Sequence, residues 1–306
     1  MRDLVKKSGP LLQGAPLQMA SCQQPVRFAV SWHRLMNTAH ANGVEIAYSA
    51  AGEGETVLLV GGSGMDQGVW DFSFKPALVQ AGYRVVTYDS RGGGGSSAPE
   101  PPYSIEDLAL DAVGLVEQVS DGPCHVVGLS LGGFVAEEIC WRRPDLVRSV
   151  VLVASGGRTT AYMRAKMQAE ERLFAAGPVP VDYDLVDALS VFLPAKVLQD
   201  DDKTVEQWAQ LIGATDGPGR IGQGAAARAW LLDDGRVERW PNMRVPALFV
   251  AFEHDIQFPP SRVKEAAEEW PQASFVEIPG VAHGNGVFDA ASQIGEAIVG
   301  FLPLMR

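Results

Sequence analysis

The stretch "CHVVGLSLGGFVAEEIC", residues 124–140, decides how the chain is read. An apolar run of strand character ends in Gly128-Leu129-Ser130-Leu131-Gly132, and an amphipathic helical pattern begins at once. A serine between two glycines at a strand-to-helix junction is the pattern of a nucleophile elbow. Small neighbours allow a strained turn that lifts Ser130 Oγ clear of the backbone, and the N–H groups that open the following helix favour negative charge nearby. In a chain with 33 glycines the tight turn alone carries little information, so the surrounding sequence has to supply it.

Outward from that point the pattern is a βα alternation. Toward the N-terminus, "TVLLV" (56–60) runs into the loop Gly61-Gly62-Ser63-Gly64, "KPALVQAG" (75–82) has helical spacing, and "YRVVTYD" (83–89) is again a strand. "SIEDLALDAVGLVEQV" (104–119) predicts a helix with Ser104 as N-cap and Asp107 three residues on. Asn42-Gly43 marks a hairpin before the first of these units. After the elbow, "SVVLVAS" (149–155) is a strand, and from 158 to about 240 no strand pattern occurs. The rhythm resumes with "VPALFVAFEHD" (245–255), a helix from Ser261 to Trp270, "SFVEIPG" (274–280) and a terminal helix from Asp289 to Phe301. Such alternation predicts an α/β fold: a mostly parallel, doubly wound sheet with helices on both faces. The core then comprises residues 36–157 and 241–306, with residues 158–240 as a helical cap inserted between two late strands. Residues 1–35 are expected to be a disordered extension or to precede a true start at Met36. Gln13, Gly14, Pro16 and Gln18 interrupt the apolar run that a secretory signal needs.

Composition narrows the function. The chain has 306 residues, 46% hydrophobic and 20% charged, with a formal net charge of −12. That balance disfavours a nucleic-acid partner, whose phosphates need clustered Lys and Arg. No stretch has the roughly 20 apolar residues that span a bilayer. Three cysteines are too few for a disulfide framework, and Cys124 and Cys140 read as buried thiols of a cytoplasmic protein. No metal-ligand spacing and no phosphate-binding fingerprint occurs, so neither metal nor cofactor is expected. Length and charge suit a monomer and a homodimer equally.

A serine nucleophile needs a base, and there are five histidines. His33 lies in the N-terminal extension, His40 precedes the first core strand, and His125 is inside the strand that carries Ser130. His283 and His254 remain. His283, in the glycine-rich loop of "IPGVAHGNGVFD", is preferred because it lies beyond a strand end; His254 is the alternative. Asp255, directly after "ALFVAFEH", is the expected orienting acid, with Glu253 as its competitor.

The order Ser130, Asp255, His283, with "GLSLGG" as elbow and a glycine loop after an early strand, resembles the α/β-hydrolase superfamily. "YDSRGGGGSSAP" (88–99), "VPALFVAFEHDIQFPP" and "IPGVAHG" resemble further motifs of that family, and the likeness runs over residues 40–302 outside the insert. The resemblance implies a capped serine esterase or lactonase with Ser130, His283 and Asp255 as catalytic triad. Backbone N–H groups of Ser63 and Leu131 would form the oxyanion hole, with Gly62 as the alternative to Ser63. Gly61-Gly62 stands where many members carry His-Gly. Asp89 and Arg91 read as a strand-end pair holding the glycine loop. Trp70, Met163 and Phe192 are candidates to line the substrate pocket. Arg158, Arg164 and Arg172 could meet a carboxylate or lie on solvated faces. The expected activity is hydrolysis of an ester, thioester or lactone of a small, largely apolar molecule. The alternatives are use of the same triad for C–C cleavage, perhydrolysis or cyclisation, and a catalytically silent ligand-binding protein of this fold.

Overall fold

The computed structural model describes residues 36–177, 179–213 and 218–302, without the side chains of Phe174, Ala175, Pro218 and Arg220. The expectations placed on residues 1–35, with Cys22 and His33, lie outside the described residues. The strands are β1 (Asn37–Ala41), β2 (Val44–Ala51), β3 (Thr56–Val60), β4 (Arg84–Tyr88), β5 (Cys124–Leu129), β6 (Val147–Val153), β7 (Ala247–Phe252) and β8 (Ala273–Ile278). The helices are α1 (Lys75–Gln80), α2 (Ile105–Val119), α3 (Leu131–Arg142), α4 (Ala161–Ala176), α5 (Val181–Phe192), α6 (Ala195–Asp200), α7 (Asp202–Gly213), α8 (Pro218–Leu232), α9 (Pro260–Glu269), α10 (Gly286–Asp289) and α11 (Ala291–Phe301).

One eight-stranded sheet has the order β1-β2-β4-β3-β5-β6-β7-β8. It is parallel from β4 to β8 in that order, and β2 runs antiparallel to both its neighbours. Side chains alternate faces along a strand, and here both sets are apolar. Leu58, Val60, Val126, Val150 and Phe249 pack on one side with α2, α3 and α9. Val57, Leu59, Val127, Val151 and Val250 pack on the other with α1 and α11. The sheet is therefore buried from two sides, as the alternation in sequence predicts.

Local signals position the elements. Asn42 and Gly43 have φ of 46° and 77°, the left-handed pair that closes a two-residue hairpin between β1 and β2. At the start of α2, Ser104 Oγ accepts from the Asp107 N–H at 3.0 Å while the Asp107 carboxylate accepts from the Ser104 N–H at 2.9 Å, a reciprocal cap. From β3 the chain crosses to β4 on one side and then returns to β5 on the other. The carboxyl ends of β3 and β5 thus flank the point where strand order reverses, where open α/β sheets bind ligands.

The insert, α4 to α8, lies between β6 and β7. It has two parts. Met163 and Met167 of α4 and Ala226 and Trp230 of α8 belong to the main apolar cluster. The segment α5–α7 has its own small cluster around Leu189, Leu193 and Ile212. No helix among the described residues is long and apolar enough to cross a membrane.

Candidate active site

Ser130 occupies the turn between β5 and α3 with φ 52° and ψ −117°, a conformation that a side chain rarely adopts. The turn is so tight that its glycines have no substitute. A Cβ on Gly128 would lie 2.2 Å from the Gly132 carbonyl oxygen, and one on Gly132 would lie 2.1 Å from the Val60 carbonyl oxygen. The Ser130 N–H donates to the Val153 carbonyl at 3.0 Å, and Ser155 Oγ donates to the Ser130 carbonyl at 2.8 Å. The neighbouring end of β6 thereby fixes both peptide groups around the serine. Its side chain remains half-buried and within reach of solvent.

His283 and Asp255 arrive from the ends of β8 and β7. Ser130 Oγ is 2.9 Å from His283 Nε2, and His283 Nδ1 is 2.7 Å from Asp255 Oδ2. A carboxylate only accepts, so the tautomer that fits both contacts has its proton on Nδ1 and leaves the Nε2 lone pair for the serine hydroxyl. Asp255 Oδ1 accepts from the N–H groups of Gln257 and Phe258 at 2.8 and 2.9 Å, which aims the carboxylate. The acid is 2% exposed and the imidazole 7%, so this chain of hydrogen bonds works in surroundings where water competes little. The two alternatives point elsewhere. His254 is exposed, and Glu253 accepts from the Gly280 N–H at 2.7 Å, bracing the histidine loop from outside.

The loop after β3 faces the elbow: a Cβ on Gly62 would lie 3.6 Å from the Ser130 Cβ. Its three amides differ. The Gly62 N–H donates to Met65 Sδ at 3.2 Å, and the Gly64 N–H donates to Gln223 Oε1 at 2.8 Å. Among the described residues, the N–H groups of Ser63 and Leu131 have no acceptor. Of the two amides named for this loop, Ser63 has the free donor and Gly62 an engaged one.

The pocket expectations fare unequally. Phe192 stands at the site, its ring centroid 6.3 Å from that of His283 and 6.0 Å from Trp208. Trp70 does not line an opening. It is completely buried, 5.2 Å from Phe74, because the 3-10 turn at 67–72 rotates the ring back into the core under the sheet. Met163 is 3% exposed within the main cluster, where it joins α4 to the core. Asp89 does hold the glycine loop, accepting from the N–H groups of Gln67 and Gly95 at 2.8 Å each, and burial pushes its carboxyl above the usual range. Arg91, however, pairs with Asp111 of α2, Nε to Oδ2 at 2.6 Å, rather than with Asp89. Arg158 and Arg164 are tied to Glu269 and Asp234 at 2.8 and 2.6 Å, and Arg172 is exposed.

Phe258, Gln223 and Asn285 are site residues that the sequence reading missed. The Phe258 ring is 5.5 Å from His283 and 5.7 Å from Phe134, so aromatic side chains pack around the imidazole. Its place three residues after Asp255, in a loop that must turn back toward His283, was the available signal. Asn285 Oδ1 accepts from the Ala282 N–H at 2.7 Å and closes the histidine loop. Gln223 comes from the insert, and nothing local marks it. Among the described residues, no group of three or more His, Cys, Asp or Glu side chains is arranged to hold a metal ion.

Comparison with known proteins identifies the family of the fold. A model of the "Alpha/beta hydrolase family" matches residues 57–296. A Mycobacterium tuberculosis protein provisionally named non-heme bromoperoxidase BpoC is 29% identical over 267 residues, 86% of this chain and 99% of its own. Its crystal structure superposes with a TM-score of 0.77 at 28% identity, covering 85% of this chain and 96% of that one. An Azorhizobium caulinodans protein provisionally named carbamate hydrolase RutD is 28% identical over 87% of this chain and 98% of its own. The enol-lactonase of Burkholderia xenovorans LB400 superposes with a TM-score of 0.73 at 25% identity, covering 87% of this chain and all of that one (100%).

Proposed function

The chain belongs to the alpha/beta hydrolase family, and from that premise we propose that it is a serine hydrolase cleaving a carboxylic ester, thioester or lactone of a small, largely apolar molecule. One observation carries the reading: the continuous bond chain from Ser130 Oγ through His283 to Asp255, 2.9 and 2.7 Å, at a strained elbow. The serine proton passes to His283 Nε2 as Oγ attacks the acyl carbon, and Asp255 stabilises the imidazolium that forms. The N–H groups of Ser63 and Leu131, which have no acceptor among the described residues, take the charge that develops on the carbonyl oxygen. His283 then returns the proton to the leaving alcohol or thiol and activates water against the acyl-enzyme. Aromatic packing by Phe192 and Phe258 suits a carbon-rich substrate, and the enol-lactonase that shares the fold is named for action on a cyclic ester. The two buried thiols suit a reducing, cytoplasmic setting.

The bromoperoxidase name of BpoC favours a second reading. There the same acyl-enzyme is intercepted by hydrogen peroxide, giving a peracid in place of the acid.

The test is intact-protein mass after exposure to a small fluorophosphonate, for the wild type, Ser130→Ala and His283→Gln. A single adduct on the wild type alone is the expected result, followed by turnover of short acyl esters or lactones. Labelling without turnover of any ester, thioester or lactone would sink hydrolysis. Peracid formed from ester and peroxide faster than the ester is hydrolysed would favour the second reading.

A further inference from the structure

One buried side chain of the insert reaches back to the loop after β3. Gln223 of α8 is 1% exposed and joins two core loops. Its Oε1 accepts from the Gly64 N–H at 2.8 Å, and its Nε2 donates to the Arg91 carbonyl at 2.9 Å. A side-chain amide has one acceptor oxygen and one donor nitrogen, so the two partners set its orientation. The helix that carries it sits on the core through backbone. A Cβ on Gly219 would lie 1.8 Å from the Gly92 carbonyl oxygen, and one on Gly222 would lie 2.6 Å from the Tyr103 ring. At that separation α8 leaves Gln223 little room to withdraw.

The bond falls on a sensitive peptide. Residues 62–65 form a turn closed by the Met65 N–H on the Gly62 carbonyl at 3.2 Å, and Gly64 has φ 71°. A positive φ at the third residue belongs to a type II turn, and types I and II differ by a flip of the central peptide. Here that peptide joins Ser63 to Gly64, and its N–H is the one Gln223 holds. The preceding peptide is planar, so directing the Gly62 carbonyl at Met65 turns the Ser63 N–H the opposite way. The two peptides flanking Ser63 are thus pinned, one by the turn and one by the insert.

We propose that Gln223 is a positioning residue: by holding the Gly64 N–H it anchors the 62–65 turn against the elbow, and the anchored turn presents the Ser63 N–H to the oxyanion. The proposal rests on the hydrolase reading and deepens it. Gln223 acts through Ser63, so its effect falls on charge that exists only in the transition state. Its loss therefore lowers kcat and leaves KM nearly unchanged.

Two variants and one measurement without turnover test this. Gln223→Met keeps the bulk but removes the amide, and Gln223→Glu keeps an acceptor for Gly64. With a short p-nitrophenyl ester, Gln223→Met is expected to lower kcat about 10- to 100-fold, less than the 100- to 1,000-fold that follows loss of a whole donor. KM should stay within about twofold, and Gln223→Glu should recover part of kcat. Hydrogen exchange at the Gly64 amide should be slow in the wild type and fast in Gln223→Met. A Gln223→Met enzyme with the wild-type kcat, or one whose loss lies wholly in KM, overturns the proposal. So does unprotected Gly64 exchange in the wild type, a result that stands even where a variant fails to fold. A wild type inert to fluorophosphonate and to every ester sinks the hydrolase reading, whereas Gly64 exchange reports on the hold by Gln223 with no activity at all.

Discussion

The carbonyl of Phe192, the last residue of α5, accepts from the Asn285 N–H at 2.9 Å and from the Gly284 N–H at 3.2 Å. Carbonyls in the last turn of a helix have no partner within it, and here the loop carrying His283 supplies two donors. The separately packed part of the insert is thereby joined to the residue proposed as base. Phe192→Ala keeps the carbonyl and removes the ring beside His283 and Trp208. We expect KM for apolar esters to rise and kcat to fall by about tenfold through a less constrained imidazole. Steady-state kinetics on a series of acyl chain lengths would show it, and a change confined to thermal stability would refute the coupling.

Asp255 separates holding from chemistry. Asp255→Asn can keep its oxygen on the N–H groups of Gln257 and Phe258, but its NH2 then faces His283 Nδ1. The imidazole must carry its proton on Nε2, where it cannot take one from Ser130. Activity should fall by about 10⁴-fold with the fold retained. Asp255→Ala also leaves two loop N–H groups without their acceptor, at about 1–3 kcal/mol each where buried. Comparing the melting curves of the two variants at equal inactivity checks the distinction.

Gly132→Ala should be among the most damaging single-methyl additions in the chain. Its Cβ would meet the Val60 carbonyl oxygen at 2.1 Å, and backbone on a central strand cannot yield. A loss above about 3 kcal/mol, or no soluble protein, is expected. Gly300→Ala is the control. It lies within α11 with nothing within 4 Å of the added carbon, and should stabilise by about 1 kcal/mol through helix propensity. Urea unfolding of both variants gives the comparison.

The thiols beside the elbow should be silent. Burial pushes Cys124 up to about 12 and Cys140 well above the usual thiol range. At about pH 8 both are protonated, and the thiolate is the reactive form. In a Cys22→Ser background, no thiol should react with a chromogenic disulfide until denaturant is added, when two should. Fast reaction of either in the native state would contradict the burial.

The parts legible in the sequence share one property: their determinants lie within a few residues of each other. The Asn42-Gly43 hairpin, the Ser104 cap and the elbow glycines are each local constraints with a fixed spacing. Ser130, Asp255 and His283 could be placed because each follows a strand end. Trp70 was misplaced because spacing along a short 3-10 turn does not say which way a ring rotates, and here it turns into the core. Arg91 was paired with its neighbour Asp89, whereas its partner is Asp111, 20 residues on. Gln223 stayed hidden for the same reason at longer range, since its bond to Gly64 closes a separation of 159 residues. Hydrophobic patterning is silent about a lone buried amide.

Ser130 sits at φ 52° because the turn demands it, and a residue held there costs about 1–3 kcal/mol. Glycine would adopt the same angles freely. Ser130→Gly should therefore yield an inert protein that melts at a higher temperature than the wild type, a gain that random mutation can reach in one step. Selection for folding alone would drift the chain toward that glycine. On the hydrolase reading, the strain at Ser130 is stability given up for a nucleophile that glycine cannot supply.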